Sequence, residues 1–194
     1  MAEIKSTMEM VLERAAKMAE EAPPVTDDDS LIKKGMRIGA DFLNKKIADL
    51  HKELLDQPAE NQIPIRKGMA QTLLRNIVLP RDEELQQSAA VAIKGILSLA
   101  QNSGEISSIC GELQQILEQY GQHKEQSIQQ LEDALRSQLE QQQTANGQTE
   151  QGTINPTMHP QYREELSKML TSLNNQYNDA LTERKEMILS RLCP

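Results

Sequence analysis

The sequence predicts an all-α protein, with a helical bundle around a central apolar helix that continues into a long antiparallel helical hairpin of coiled-coil-like character. Three observations carry that expectation. Aromatic residues are almost absent: 194 residues hold Phe42, Tyr120, Tyr162 and Tyr177 and no Trp. A core must then come from Leu, Ile, Met and Ala, which suits helices packed on helices better than sheets, where β-branched and aromatic side chains are favoured. Apolar residues also recur at helical spacing in one segment after another. Prolines fall between those segments or in their first turns, where they interrupt nothing.

The first segment places Ile4, Met8, Val11, Leu12, Ala15, Met18 and Ala19 on one face of a helix over about residues 3–21, closed by Pro23-Pro24. Ser6 and Glu9 have the spacing of a capping box, although the apolar run already starts at Ile4. The opening, Glu3-Ile4-Lys5-Ser6-Thr7-Met8-Glu9 followed by Val11-Leu12-Glu13-Arg14, resembles the start of an uncharacterised family of small bacterial all-helical proteins of unknown function. Members open with Glu-Ile-Lys-Ser-Thr, Leu or Met, then Glu, and run into one amphipathic helix. The resemblance covers about the first 18 residues. It implies a helix and brings no activity with it.

A second helix is predicted over about residues 29–57. Asp27, Asp28, Asp29 and Ser30 offer N-caps and place negative charge where the helix dipole favours it. Its apolar face runs from Leu31 through Phe42, Ile47 and Leu50 to Leu54 and Leu55, and Pro58 closes it. A third helix, about 64–78, starts at Pro64 and buries Ile65, Met69, Leu73, Leu74 and Ile77. A fourth begins at Pro80 or Arg81 and runs to about Gln101. Within it, Ser88 to Ala100 is apolar or small almost all round, which marks it as the central helix, covered on all sides by protein. Asn102-Ser103-Gly104 stops it, with Gly104 placed for a left-handed C-cap.

A fifth helix follows over about 105–143. Its seam is dense from Ile106 to Tyr120 and narrows past Gly121, where a kink is expected, to Ile128, Leu131, Leu135 and Leu139. Residues 144–160 are polar and Gly-containing and read as a flexible linker. The last helix, about 160–192, carries Tyr162, Leu166, Met169, Leu170, Leu173, Tyr177 and Leu181 and is roughly 50 Å long. Its length is close to that of the fifth, so the two should pair antiparallel. The resulting division is a four-helix N-terminal bundle over 1–103 and a hairpin over 105–194, with no internal repeat.

The net charge of −8, from 21 basic and 29 acidic residues, works against nonspecific binding to nucleic acid or anionic membrane. The basic residues of the second helix, Lys33, Lys34, Arg37, Lys45, Lys46 and Lys52, are interleaved with Asp41, Asp49 and Glu53, a solvated face rather than a DNA-binding stripe. The polar side of the first segment mixes Glu with Lys and Arg and lacks the basic bias that a lipid surface rewards. No signal-peptide pattern and no stretch long and apolar enough to span a bilayer is visible, so a cytoplasmic location is expected. Cys110 and Cys193 lie far apart, in no motif, which fits a reducing compartment.

Candidate chemistry is sparse. His51, His123 and His159 have no ligand partner at metal-site spacing, and no Glu-x-x-His occurs for a di-metal bundle. Asp27-Asp28-Asp29 lacks the oxygen pattern of a calcium loop and reads as a helix cap. Gly35 and Gly39 are a small-xxx-small pair in a charged amphipathic helix, so close helix crossing in a core is expected. No glycine-rich phosphate loop is present. Cys110 sits on an apolar face without a basic neighbour, as a small hydrophobe, and Cys193 is expected to be exposed.

The expectation is therefore a noncatalytic helical interaction or scaffold protein with no catalytic, metal or cofactor-binding residues and no small-molecule substrate. It would engage a protein partner or a second copy through helix–helix contacts, without nucleic acid or membrane. The candidate interaction surface is the hairpin seam: Ile128, Leu131, Leu135, Leu139, Leu166, Leu170, Leu173 and Tyr177. The alternative is a chaperone or adaptor of a bacterial secretion or surface apparatus, whose Met-bearing faces (Met8, Met10, Met18, Met36, Met69) re-pack on several partners. An enzyme with a site assembled from dispersed residues is the third class.

Overall fold

The computed structural model describes residues 27–101, 103–145 and 155–193. The predicted first helix and its opening motif lie outside them, as does most of the linker. The described chain is all-α: α1 (Asp27–Leu43), α2 (Leu50–Leu55), α3 (Gln62–Arg75), α4 (Glu83–Leu99), α5 (Gly104–Ala145) and α6 (Pro160–Leu192), with 3-10 turns at Ala59–Asn61 and Pro156–Met158. No strand occurs among the described residues.

The predicted helix over 29–57 is in fact two. The chain leaves α1 at Lys45, whose φ of 61° is left-handed. The Lys45 N–H donates to the Phe42 carbonyl and the Lys46 N–H to the Asp41 carbonyl, each at 2.9 Å, which closes the helix end in a Schellman arrangement. Asp49 then caps α2, its carboxylate accepting from the backbone N–H groups of His51 (2.9 Å) and Lys52 (3.3 Å). Leu43, Ile47, Leu50 and Leu54 keep a helical phase across the break, so periodicity alone shows no interruption.

The crossing of α1 on α3 sets the architecture. A Cβ built on Gly35 would overlap the Ile65 carbonyl oxygen, and one on Gly68 would overlap that of Ile32. On Gly39 it would lie 3.1 Å from the Thr72 Cβ and 3.2 Å from the Met69 carbonyl oxygen. The two backbones touch here, as the Gly35/Gly39 spacing predicted, and the Thr72 hydroxyl donates to the Met36 carbonyl across the contact (3.4 Å). Both helices run the same way past the crossing, because Ile32 meets Gly68 while Met36 meets Thr72.

The most enclosed helix is α3, which packs on α1, α2, α4 and α6 and buries Ile65, Gly68, Met69, Ala70, Leu73 and Leu74. Ser88–Ala100 is not covered all round. It buries Ala89, Ala92, Ile93, Gly95, Ile96 and Leu99 but leaves Ala90, Lys94 and Leu97 facing solvent. An exposed Ala costs little, so an all-round small and apolar composition does not by itself force enclosure. Asp82 caps α4 by accepting from the Leu85 N–H (2.9 Å). Its other end is formed by Gln101 in the left-handed region (φ 49°) rather than by Gly104, which opens α5.

α5 runs unbroken through Gly111 and Gly121. It pairs antiparallel with α6, as expected, and the register is visible in four cross-helix contacts. Glu105 meets Arg191 (2.6 Å), Glu112 meets Arg184 (2.8 Å), Tyr120 meets Asn174 (2.8 Å) and Glu132 meets Tyr162 (3.0 Å). The base of the hairpin joins the bundle through α4 against α5 and α3 against α6. One buried cluster therefore runs from Phe42 through Leu113 and Leu117 to Leu181, Ile188 and Leu192. Cys193, expected to be exposed, is half-buried against that cluster because it follows the last, core-facing turn of α6.

Candidate functional site

The predicted interaction residues all fall on the outer half of the hairpin. Leu135 and Leu173 are buried, at 5% and 6% exposure. Ile128, Leu131, Leu139, Leu166, Leu170 and Tyr177 are half-buried. The pairing of α5 with α6 thus uses the inner side of the seam and leaves its edges open. Beyond Leu117 the buried side chains of the two arm helices, among the described residues, are Tyr120, Leu135, Tyr162 and Leu173, none of which belongs to the main core cluster.

A polar and aromatic cluster marks the point where the core gives way to the arm. The Tyr120 hydroxyl donates to Asn174 Oδ1, and its ring meets Tyr177 edge-on at 5.4 Å between centroids. His123 Nδ1 lies 3.3 Å from the Tyr177 hydroxyl, and Lys124 Nζ stands 6.0 Å from the Tyr120 ring centre. Further out, the Tyr162 hydroxyl donates to Glu132 Oε1. Burial pushes the Tyr120 phenol above its ordinary value, and burial together with the Glu132 carboxylate does the same for Tyr162. Sequence reading counted these tyrosines only as apolar positions. The available signal was that three of the four aromatic residues fall on the two hairpin helices.

Elsewhere the reactive groups do not converge. Among the described residues no group of three or more His, Cys, Asp or Glu could hold a metal ion. His51 contacts Gln101 Nε2 (3.3 Å), and His159 caps α6 through the Gln161 N–H (3.3 Å). Cys110 is buried on the core side of α5, and desolvation pushes its thiol up to about 11. Burial also raises Cys193, with Arg66 and Lys67 opposing the shift. A cleft of about 500 Å³ lies between the start of α4 and the middle of α5, lined by Pro80, Arg81, Asp82, Gln86, Leu117 and Ile128 among others. Its walls carry Glu118, Lys124 and Glu125 in mixed order, and Asp82 is already engaged as a cap.

Among the described residues the large apolar side chains that do face solvent lie outside the predicted surface: Leu55 (57%), Ile63 (65%), Val78, Leu97 and Met158 (83%). Leu55 was expected on the buried face of a long helix. In the six-residue α2, Leu50 and Leu54 take the core-facing positions and Leu55 is turned outward.

The chain belongs to a family of unknown function, DUF6657, whose model matches residues 51–190, from α2 to near the end of α6. The opening motif at residues 3–9 lies outside the matched range. No curated protein and no solved structure matches the chain. No helix among the described residues is long and apolar enough to cross a membrane.

Proposed function

We propose that the protein is a noncatalytic helical interaction protein and that the outer half of the α5–α6 hairpin is its contact element. The supporting observation is the open seam. Two helices bury only the line between them, and Ile128, Leu131, Leu139, Leu166 and Leu170 remain half-exposed along its edges. A third or fourth helix, from a partner or from a second copy, completes such a layer into a bundle and covers those edges. The seam is apolar and narrow while its flanks are charged, a pattern that selects a helix of complementary charge rather than a lipid or a nucleic acid. The adaptor reading leaned on methionine-bearing faces: Met69 is fully buried and Met36 half-buried, while Met8, Met10 and Met18 lie outside the described residues.

The test combines light scattering on the intact chain with affinity purification from the native host, for the natural sequence and for a Leu139→Glu, Leu166→Glu variant. The expected result is a self-associated species or a stable partner, lost in the variant while circular dichroism retains the helical signal. A strict monomer at high concentration that retains no partner overturns the proposal.

A further inference from the structure

We infer that the partner of the arm is a basic amphipathic helix of another protein, seated along the edge of α5 from the cleft beside Pro80 outward to Leu139. The inference rests on the contact role proposed above for the arm, and adds the edge, the sign of the charge and the kind of partner.

α5 carries seven acidic side chains against two basic ones, Lys124 and Arg136. Several of the carboxylates are committed within the fold. Glu105 and Glu112 pair with Arg191 and Arg184 of α6, Asp133 pairs with Arg136 along the helix, and Glu132 accepts from the Tyr162 hydroxyl. Glu118 and Glu125 are exposed and have no basic partner among the described residues. With Glu132 they recur every seven residues, so the three form one row along the helix.

That row borders an apolar line. Leu117, Gly121 and Ile128 floor the cleft of about 500 Å³, and Glu118 and Glu125 stand on its rim. Leu139, three helical turns beyond Ile128, prolongs the line on the same face. Gly121 leaves the floor open, because a Cβ there would meet nothing within 4 Å. The opposite wall is the start of α4, where Asp82 is engaged as the cap and Arg81 adds one cation. Lys124, the other cation of the lining, stands 6.0 Å from the Tyr120 ring centre.

An apolar floor with carboxylates on its rim suits Lys and Arg, whose aliphatic stems cover apolar surface while the charged ends reach outward. The same edge suits a second copy poorly. A twofold contact places one patch on both sides, so the glutamate row would face itself, and like charges set opposite each other oppose association. From Leu117 to Leu139 the edge spans about 33 Å, the length of a helix of about 22 residues.

The test uses the full chain and two labelled synthetic helices of about that length. Both carry the same Leu row, flanked by Lys in one and by Glu in the other, and binding is read by fluorescence anisotropy. The Lys-flanked helix should bind at least about tenfold more tightly at low salt, with the difference shrinking as salt is raised. Glu118→Lys with Glu125→Lys should weaken it about tenfold or more. Asp179→Lys with Glu186→Lys makes the same change of net charge at exposed sites seven residues apart on α6, and should weaken it less than about twofold. Gly121→Phe, which fills the floor, should also weaken it while circular dichroism stays unchanged. Equal affinity for the two helices, equal losses from the two charge reversals, or no effect of Gly121→Phe overturns the inference. A chain that self-associates through Leu139 and Leu166 yet ignores the Lys-flanked helix keeps the arm as a contact element and overturns the basic partner alone.

Discussion

Replacing Gly68 with Ala tests the backbone contact on which the bundle is built. A Cβ at this position would overlap the Ile32 carbonyl oxygen and come within 2.9 Å of both the Ile32 carbonyl carbon and the Met36 nitrogen. All three are backbone atoms of α1, so no rotamer change makes room, and α1 must retreat from α3. A gap of roughly 0.5–1 Å forfeits a quarter to a half of the dispersion energy at each contact it opens. Overpacking of this kind costs about 1–3 kcal/mol, and when the obstruction is backbone the upper part of that range applies. Ala returns up to about 1 kcal/mol of helix propensity. The net expectation is a loss of about 2 kcal/mol, or about 4–8 °C in Tm for a chain of this size. Gly111→Ala and Gly121→Ala are the controls: both sit inside α5, and an added Cβ meets nothing within 4 Å. Each should raise stability by about 0.5–1 kcal/mol. Thermal and urea unfolding followed by circular dichroism read all three. A Gly68→Ala protein as stable as the natural one would falsify the backbone crossing, whatever the controls do.

The other expectations concern a helix end and a buried thiol. Lys45→Gly relieves the left-handed strain at the end of α1 and should stabilise the fold by about 0.5–1 kcal/mol after the flexibility of Gly in the unfolded chain is counted; a loss of stability in urea unfolding would mean that the α1 end is not closed through this residue. Cys193 should react with a thiol reagent at pH 8 well before Cys110, and Cys110 only when denaturant opens the core; equal native rates would contradict its burial. Because the Cys110 thiol is raised in the fold, its contribution to stability is complete below the ordinary thiol value near 9. That contribution declines as the pH climbs from there through 11, and Cys110→Ala should flatten the decline.

The fold class was legible because helical periodicity survives in every long element, and the Gly35/Gly39 spacing announced a close crossing. What the sequence concealed is long-range or chemically atypical. Gly68 is a single glycine in α3, and nothing local says that it meets the backbone of Ile32 and Met36 in α1. The end of α1 uses Lys45 where glycine is the usual choice, while the apolar phase continues unbroken into α2. Gln101 plays the same part at the end of α4, which drew the expected cap on to Gly104. The enclosure of α3 follows from its neighbours, because its small residues admit α1 to backbone contact. Ser88–Ala100, richer in apolar residues, can leave Ala90 and Leu97 in water.

The hairpin shows why an apolar seam alone does not tell which of its residues the two helices bury between them. A seam of widely spaced Leu and Ile tells a helix which side to bury and says little about register, since sliding one helix past the other by a turn offers a similar apolar line. Here the register is written in polar atoms. Tyr120 with Asn174 and Glu132 with Tyr162 sit along the arm, and Glu105 with Arg191 and Glu112 with Arg184 sit at the base. A slip of one turn, about 5.4 Å, breaks all four together. Each bond is worth about 1 kcal/mol or less, and the ion pairs are partly exposed, so their value lies in coincidence rather than in strength. An arm whose register is fixed from within can keep its seam edges half-open without sliding shut over them. That separates the buried residues between the two helices, Tyr120, Leu135, Tyr162 and Leu173, from the half-exposed edges, Ile128, Leu131, Leu139, Leu166 and Leu170, on which the proposed third helix would pack.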